Sequence, residues 1–322
     1  MEITRLKGGS LSGTFLIRDN GRQYVRKTAS LVENREYGFQ RWYSQLKRIQ
    51  RYNHLFPGLF PTLLDAGIND EGGYFDIEYY QSGINCHEYI CSLTEDDDIH
   101  VVCDQIIRSM ATMHAHTFVA PKNALELYIE EEVKAKLSWC LSDLVFQEFY
   151  GYDYIYLNGE KVVPLGKVLD QFIEYGLSNN NCPVESFTHG NITLENMLYV
   201  KKENRVIFID PYDENFIDSK HNEYSQILQS SNSLYEIYNA GQPEINENRV
   251  NLKVEVPIGL IRFNTIFNQF LDNHCTDSER DLVRFFEISQ FTRMLPFKMA
   301  IDRPKMFFFY ALASKLFADT NR

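Results

Sequence analysis

No stretch of this sequence is long and apolar enough to span a bilayer, and its first ten residues, MEITRLKGGS, lack the apolar core of a signal peptide. A cytoplasmic location is expected. The six cysteines (Cys86, Cys91, Cys103, Cys140, Cys182 and Cys275) are scattered, and no two have C-x-x-C spacing. That pattern offers no zinc site and fits a reducing compartment better than a disulfide framework. Basic residues are in deficit: 32 Lys and Arg stand against 44 Asp and Glu, a net charge of -12. So acidic a chain is poorly suited to neutralising nucleic-acid phosphates, and no basic amphipathic helix marks it for a membrane surface. Repeats and low-complexity tracts are absent as well. Aromatic residues, by contrast, are plentiful, with 23 Phe and 20 Tyr among 322 residues. That rules against disorder and provides for one large domain or two lobes.

Organisation changes along the chain. Two strand-like runs, Gly13 to Ile17 and Gln23 to Thr28, flank Asn20-Gly21, a hairpin signal because both turn positions need positive φ. Residues 32–52 have helical spacing, with Phe39, Trp42, Tyr43 and Leu46 expected on one face. FPTLLDAGIND and GYFDIEYY read as two further strands. Beyond Ser82-Gly83, helical patterns dominate, over residues 97–118, 124–144, 164–177, 222–239, 256–274, 277–292 and 300–317, interrupted by an apolar hairpin over 196–210. The expected layout is α+β: a strand-rich N-terminal lobe, residues 1–81, and a helix-rich C-terminal lobe, residues 82–322.

Asp210 ends the apolar run Val206-Ile207-Phe208-Ile209. A carboxylate at the mouth of a buried strand suits a divalent cation, since magnesium prefers oxygen ligands. Alone, such an Asp is more often a cap on the turn before Pro211. Asn196 lies fourteen residues earlier, however, and His189 seven before that. His, then Asn, then an apolar hairpin, then Asp is the order of a kinase catalytic loop, in which the Asn and the later Asp bind magnesium and a loop Asp contacts the hydroxyl to be phosphorylated.

The stretch HGNITLENMLY followed by VIFIDP resembles the HGD-x-x-x-x-N and IDP signature of the aminoglycoside phosphotransferase and choline kinase-like family, which has a protein kinase-like fold. MHAH at 113–116 resembles the helix end of these enzymes. DSKHNEYSQILQSSNSLYEI at 218–237 resembles relatives from bacterial surface-polysaccharide gene clusters. The resemblance implies a two-lobed kinase-like fold, magnesium with ATP or GTP, and phosphoryl transfer to a small-molecule acceptor, a hydroxyl on a sugar or similar metabolite. It implies a catalytic loop ordered by His189, metal ligands Asn196 and Asp210, and phosphate contacts from Gly8, Gly9, Ser10 and Gly13. It also implies a phosphate-binding Lys27 paired with Glu36 (Glu33 being the second choice), with Arg26 on the opposite strand face. A base-binding hinge would use the backbone of Glu78 and Tyr80. One residue departs from the pattern: Asn191 stands where the family has its proton-accepting Asp. An amide oxygen can accept a hydrogen bond but cannot take a proton at neutral pH. Glu195, Asp213 and Asp218 are candidate stand-in bases, and a nucleotide-binding protein without turnover is the rival reading.

Overall fold

The computed structural model describes residues 1–6, 13–31, 37–179, 184–212 and 215–320. Gly8, Gly9, Ser10, Glu33, Glu36, Cys182 and Asp213 lie outside the described residues. Two compact units divide the chain. The first takes Met1–Ile90, Val101–Ala115 and Thr188–Asn215; the second takes Cys91–His100, His116–Phe187 and Phe216–Arg322. The linear boundary read at 81/82 falls inside the first unit, which also takes in the 188–215 segment from far along the chain.

In the first unit, strands β1 (Glu2–Arg5), β2 (Gly13–Asp19), β3 (Arg22–Ser30), β4 (Leu63–Ile68) and β5 (Gly72–Glu78) form one sheet. Their order is β1-β2-β3-β5-β4, with antiparallel pairing at every step. The Asn20-Gly21 turn is present: φ is 48° and 79° at the two positions, and Asp19 pairs with Arg22 across it. β1 is an addition that the sequence pattern did not announce; its four residues are all exposed. Helix α1 (Tyr37–Leu55) lies on β3 and β5 through Trp42, Leu46 and Ile49, all buried with Ala29, Phe75 and Ile77. Each buried aliphatic side chain of this kind contributes about 1.5–3 kcal/mol. Tyr43, expected on that face, is exposed. At 3.6 residues per turn the buried stripe runs 42, 46, 49, and position 43 is rotated off it. Trp42 sits so close to β5 that a Cβ on Gly73 would lie 2.3 Å from its ring, so glycine there is a packing requirement.

The second unit is built on the helices Lys220–Ser231, Ile258–His274, Asp277–Ile301 and Arg303–Thr320. Its core includes Phe146, Phe172, Phe285, Phe286, Phe291 and Phe309, all fully buried. Several expected helices differ in detail. The 124–144 segment is helical to Cys140 but passes through a π-helical stretch at Ile129–Lys134. The expected 222–239 helix breaks after Ser231, where Leu234 takes a left-handed conformation, φ 55°. The helix expected to end at 292 continues to Ile301 through Pro296. A four-stranded sheet of short strands (Ile155–Leu157, Glu160–Val162, Glu244–Asn246 and Arg249–Asn251) was not expected. Three-residue strands carry too little alternation to register, although Asn158-Gly159, with φ 51° and 88°, is a hairpin signal that was available.

The helix Lys220–Ser231 is buried along nearly its whole length yet mostly polar. Its polar atoms are met from the helix Asp277–Ile301, where Gln290 donates to Asn222 Oδ1 at 2.8 Å and itself accepts from Arg293 at 2.9 Å. Arg293 pairs in turn with Glu132 of the π-helical stretch at 3.3 Å. Buried polar groups satisfied in this way set the register of helix packing rather than adding large net stability.

At the start of Asp277–Ile301, Thr276 and Glu279 form a capping box, and Glu279 also receives His221 Nε2 at 3.0 Å and Lys220 Nζ at 3.1 Å. Burial pushes the Glu279 carboxyl up, but the Thr276 backbone N–H, His221 and Lys220 outweigh it and bring the pKa down to about 2 from an ordinary 4.5. A carboxylate depressed on folding stabilises above its unfolded pKa, and that contribution fades as pH falls through the folded value. Glu279→Gln is therefore expected to be less stable than the natural chain at pH 7 in denaturant titrations, with the gap narrowing below pH 4.5 and closing near pH 2.

Candidate active site

The loop containing Asn191 is fastened from below by its own hairpin. Met197–Val200 pairs antiparallel with Arg205–Phe208 and, on its other edge, with Gly83–Asn85. Val206, Ile207 and Phe208 are buried, which fixes where the strand ends and Asp210 begins. The Ile209 N–H donates to Asn196 O at 2.9 Å, holding the two candidate metal ligands side by side. Asp210 itself has φ 58°, a left-handed conformation for a residue with a Cβ. Strain of this kind costs about 1–3 kcal/mol and persists where the surroundings enforce it, most often at functional sites.

His189 is fully buried and works as a strut. Its Nε2 donates to Ile209 O at 2.7 Å, while its Nδ1 accepts from the Asn191 N–H at 3.2 Å. These partners require the proton on Nε2. The ring stacks on Phe60 at 6.0 Å with an interplanar angle of 8°. His189 is thus a positioning residue that ties the Asn191 backbone to the strand leading into Asp210. The Asn191 carbonyl is held as well, accepting from Asn196 Nδ2 at 2.8 Å.

From above, α1 grips the same loop. Four of its side chains at helical spacing donate to backbone carbonyls: Trp42 Nε1 to Lys27 at 3.3 Å, Gln45 Nε2 to Pro211 at 3.2 Å, Arg48 Nη1 to His189 at 3.2 Å, and Tyr52 Oη to Thr188 at 2.6 Å. Arg48 also contacts the Tyr212 carbonyl. Gln45, Arg48 and Tyr52 were missed by the sequence reading. The available signal was a row of hydrogen-bonding side chains bordering the buried Trp42–Leu46–Ile49 stripe.

Lys27 is buried on β3 and its Nζ contacts the Asp210 carboxylate, with Gln45 Oε1 at 3.5 Å. Among the described residues, the α1 side chain nearest to the role assigned to Glu36 is therefore the neutral Gln45. Arg26, one residue earlier, forms a two-pronged pair with Asp76 at 2.7 Å and lies over the Tyr74 ring. Its guanidinium is held above the usual arginine range by the Asp76 hydrogen bonds, so it stays charged at any working pH.

The donor set suits a magnesium ion. Asn196 Nδ2 is committed to Asn191 O and to Thr193 Oγ1 at 3.2 Å, which leaves its Oδ1 with no partner among the described residues. With Lys27 on Asp210 Oδ1, the second carboxylate oxygen is likewise without a partner among them. An amide oxygen and a carboxylate oxygen are the hard ligands magnesium takes. One further orphan sits beside Lys27: Thr14, paired with it across β2 and β3, is buried and its Oγ1 has no hydrogen-bond partner among the described residues. A buried hydroxyl without a partner is costly unless a ligand completes it. Gly13, named from the sequence, is the residue before it.

The hinge segment is braced. The Glu78 N–H donates to Thr62 O at 2.9 Å, so that donor is not open to a base edge, and the Tyr80 carbonyl accepts from the Gly83 N–H at 3.0 Å. Tyr80 Oη donates to Glu78 Oε2 at 3.0 Å; burial, then Glu78, pushes its phenol up to about 12.

No protein-family model and no curated protein matches the chain by sequence. Solved structures do match. A GDP complex of a variant aminoglycoside 2'-phosphotransferase-IIIa superposes with a TM-score of 0.62 at 14% identity, over 99% of this chain and 92% of that one. A Haemophilus somnus protein assigned as a fructosamine-3-kinase gives 0.59 at 12% identity, over 98% and 91%. This chain has a kinase-like α+β fold. At such identities the likeness establishes the fold alone, and the site must be argued from its own atoms.

Gly190 tests how tightly that site is held. Its φ is +86°, and a Cβ there would lie 2.2 Å from Tyr212 O. Gly21 has a similar φ of +79° with nothing within 4 Å of the same atom. Gly21→Ala is expected to cost about 1–2 kcal/mol from backbone strain alone, and Gly190→Ala clearly more, measured by denaturant unfolding.

Proposed function

We propose that this chain is a nucleotide-dependent phosphotransferase acting on a small molecule, with ATP or GTP as donor. The observation that carries the reading is the convergence of Lys27, Asn196 and Asp210 within one compact unit, with one oxygen each on Asn196 and Asp210 that has no partner among the described residues. Asn196 and Asp210 would hold magnesium, which when bound supplies charge neutralisation to the phosphates. Lys27 would give a point charge to the nucleotide phosphates, and Thr14 a hydroxyl. The Glu78 and Tyr80 backbone, less the Glu78 N–H already committed, remains the candidate for the base edge. Gly8, Gly9, Ser10 and Gly13 are proposed as phosphate contacts, with Glu36 beside Lys27. A role in surface-polysaccharide metabolism, with a sugar hydroxyl as acceptor, is what the sequence resemblance implies, and a cytoplasmic place is proposed from the scattered cysteines, which fit a reducing compartment.

Asn191 favours a second reading, nucleotide binding without turnover. Losing a general base costs about 10²–10⁴-fold in rate where a proton must be removed. Positioning and charge neutralisation supply most of the acceleration of phosphoryl transfer, so binding itself survives that loss.

Calorimetry with ATP and GTP, with and without magnesium, tests both readings at their common root. Magnesium-dependent binding is expected for the natural chain. Asp210→Ala should weaken it about tenfold or more and remove its metal dependence, and Lys27→Ala should weaken it with the metal dependence intact. Absence of nucleotide binding by the natural chain would overturn both.

A further inference from the structure

We propose that the acceptor reacts through an oxygen that is already an anion, a carboxylate or a phosphate-monoester oxygen, in place of the sugar hydroxyl that the sequence resemblance alone implies. This rests on the phosphotransferase reading. Asn191 is held on both sides of its backbone, by His189 Nδ1 at its N–H and by Asn196 Nδ2 at its carbonyl. The loop is therefore built as firmly as one that must place a reacting group. The side chain so placed is partly exposed and has no hydrogen-bond partner among the described residues. It is neutral at every pH, donates through its NH₂ and accepts through its oxygen, and cannot remove a proton.

A hydroxyl acceptor loses a proton during transfer, whereas an oxyanion has none to lose. The acceptor oxygen forms a bond to the γ-phosphorus, the bond from that phosphorus to the β–γ bridging oxygen breaks, and the nucleoside diphosphate leaves with the electron pair. The product is an acyl phosphate or a phosphoanhydride, and no proton changes hands. Because the transition state is loose, a weakly basic oxygen suffices. Charge agrees with this. The Asp210 carboxylate in the same unit is met by Lys27, and the Arg48 guanidinium lies against the carbonyls of His189 and Tyr212. An aspartate at 191 would add a carboxylate where the acceptor must approach and repel an anion. The amide removes that repulsion and offers an N–H to the acceptor's second oxygen.

The test uses the full chain with magnesium and γ-labelled ATP or GTP, and three acceptor probes: acetate, read by hydroxylamine trapping of acetyl phosphate; inorganic phosphate, read as diphosphate; and glycerol. The natural chain is expected to transfer label to acetate or phosphate in preference to glycerol, with the acetate rate flat above pH 6. Acetate and phosphate separate the two anion sources. Asn191→Asp should cut transfer to the anions at least tenfold and raise transfer to glycerol. Glu195→Gln and Asp213→Asn should leave the anion rates within a few-fold, since no base is needed. Preference of the natural chain for glycerol, or anion transfer that Asn191→Asp leaves unchanged or improves, would overturn the proposal. A loss of more than about a hundredfold in Glu195→Gln or Asp213→Asn would do so too, by exposing a stand-in base. Nucleotide binding with no transfer to any probe in either protein overturns it in favour of binding without turnover. A chain that binds no nucleotide fails earlier, at the phosphotransferase reading itself.

Discussion

One helix face holds the candidate site together. Trp42, Gln45, Arg48 and Tyr52 recur along α1 at intervals that keep them on one side of the helix, and each gives a hydrogen bond to a backbone carbonyl on β3 or on the 188–212 loop. Carbonyls are obligatory acceptors, and loops have few ways to satisfy them without water. Supplying the donors from a helix that is itself pinned by Leu46 and Ile49 to the sheet makes the loop part of the core. The left-handed Asp210 persists only inside such a frame.

The same frame sets the electrostatics. Lys27 is buried, a position a lysine holds only with partners, and the Asp210 carboxylate is the partner the structure provides. The His189 strut then links this pair to Asn191 through two hydrogen bonds. A change in α1 would therefore be felt at Lys27, at Asp210 and at Asn191 together, because all three hang from connected backbone groups.

Much of this was legible in the order of residues. The Asn20-Gly21 hairpin, the α1 helix, the β4–β5 pair and the apolar hairpin before Asp210 all follow from local rules that act over a few residues. His189, Asn196 and Asp210 stand out as candidates because their spacing along one loop and the hairpin after it is itself local. Gln45 and Arg48 border the apolar stripe of α1 as a row of hydrogen-bonding side chains, but that row does not say whether it faces water or a loop 166 and 141 residues away. The polar helix Lys220–Ser231 misleads for the same reason: its composition reads as a surface, and partners brought from elsewhere, Gln290, Glu236 and Asn264 among them, make its burial tolerable. The three-residue strands of the second unit fall below the length at which alternation is recognisable.

By itself the sequence determined an α+β chain with a strand-rich start and a helix-rich remainder, because short-range periodicity encodes those elements, while the kinase-like class came from the resemblance carried by the HGN and IDP stretches. Tertiary structure alone decided that segments 1–90 and 188–215 belong to one compact unit, and that Lys27 meets Asp210 across 183 positions of chain. It alone showed that Gln45 stands beside that lysine, and that the Thr14 hydroxyl next to it has no partner among the described residues. Those facts depend on which distant surfaces bury together and on which polar groups that burial strands, and neither is written in any local stretch.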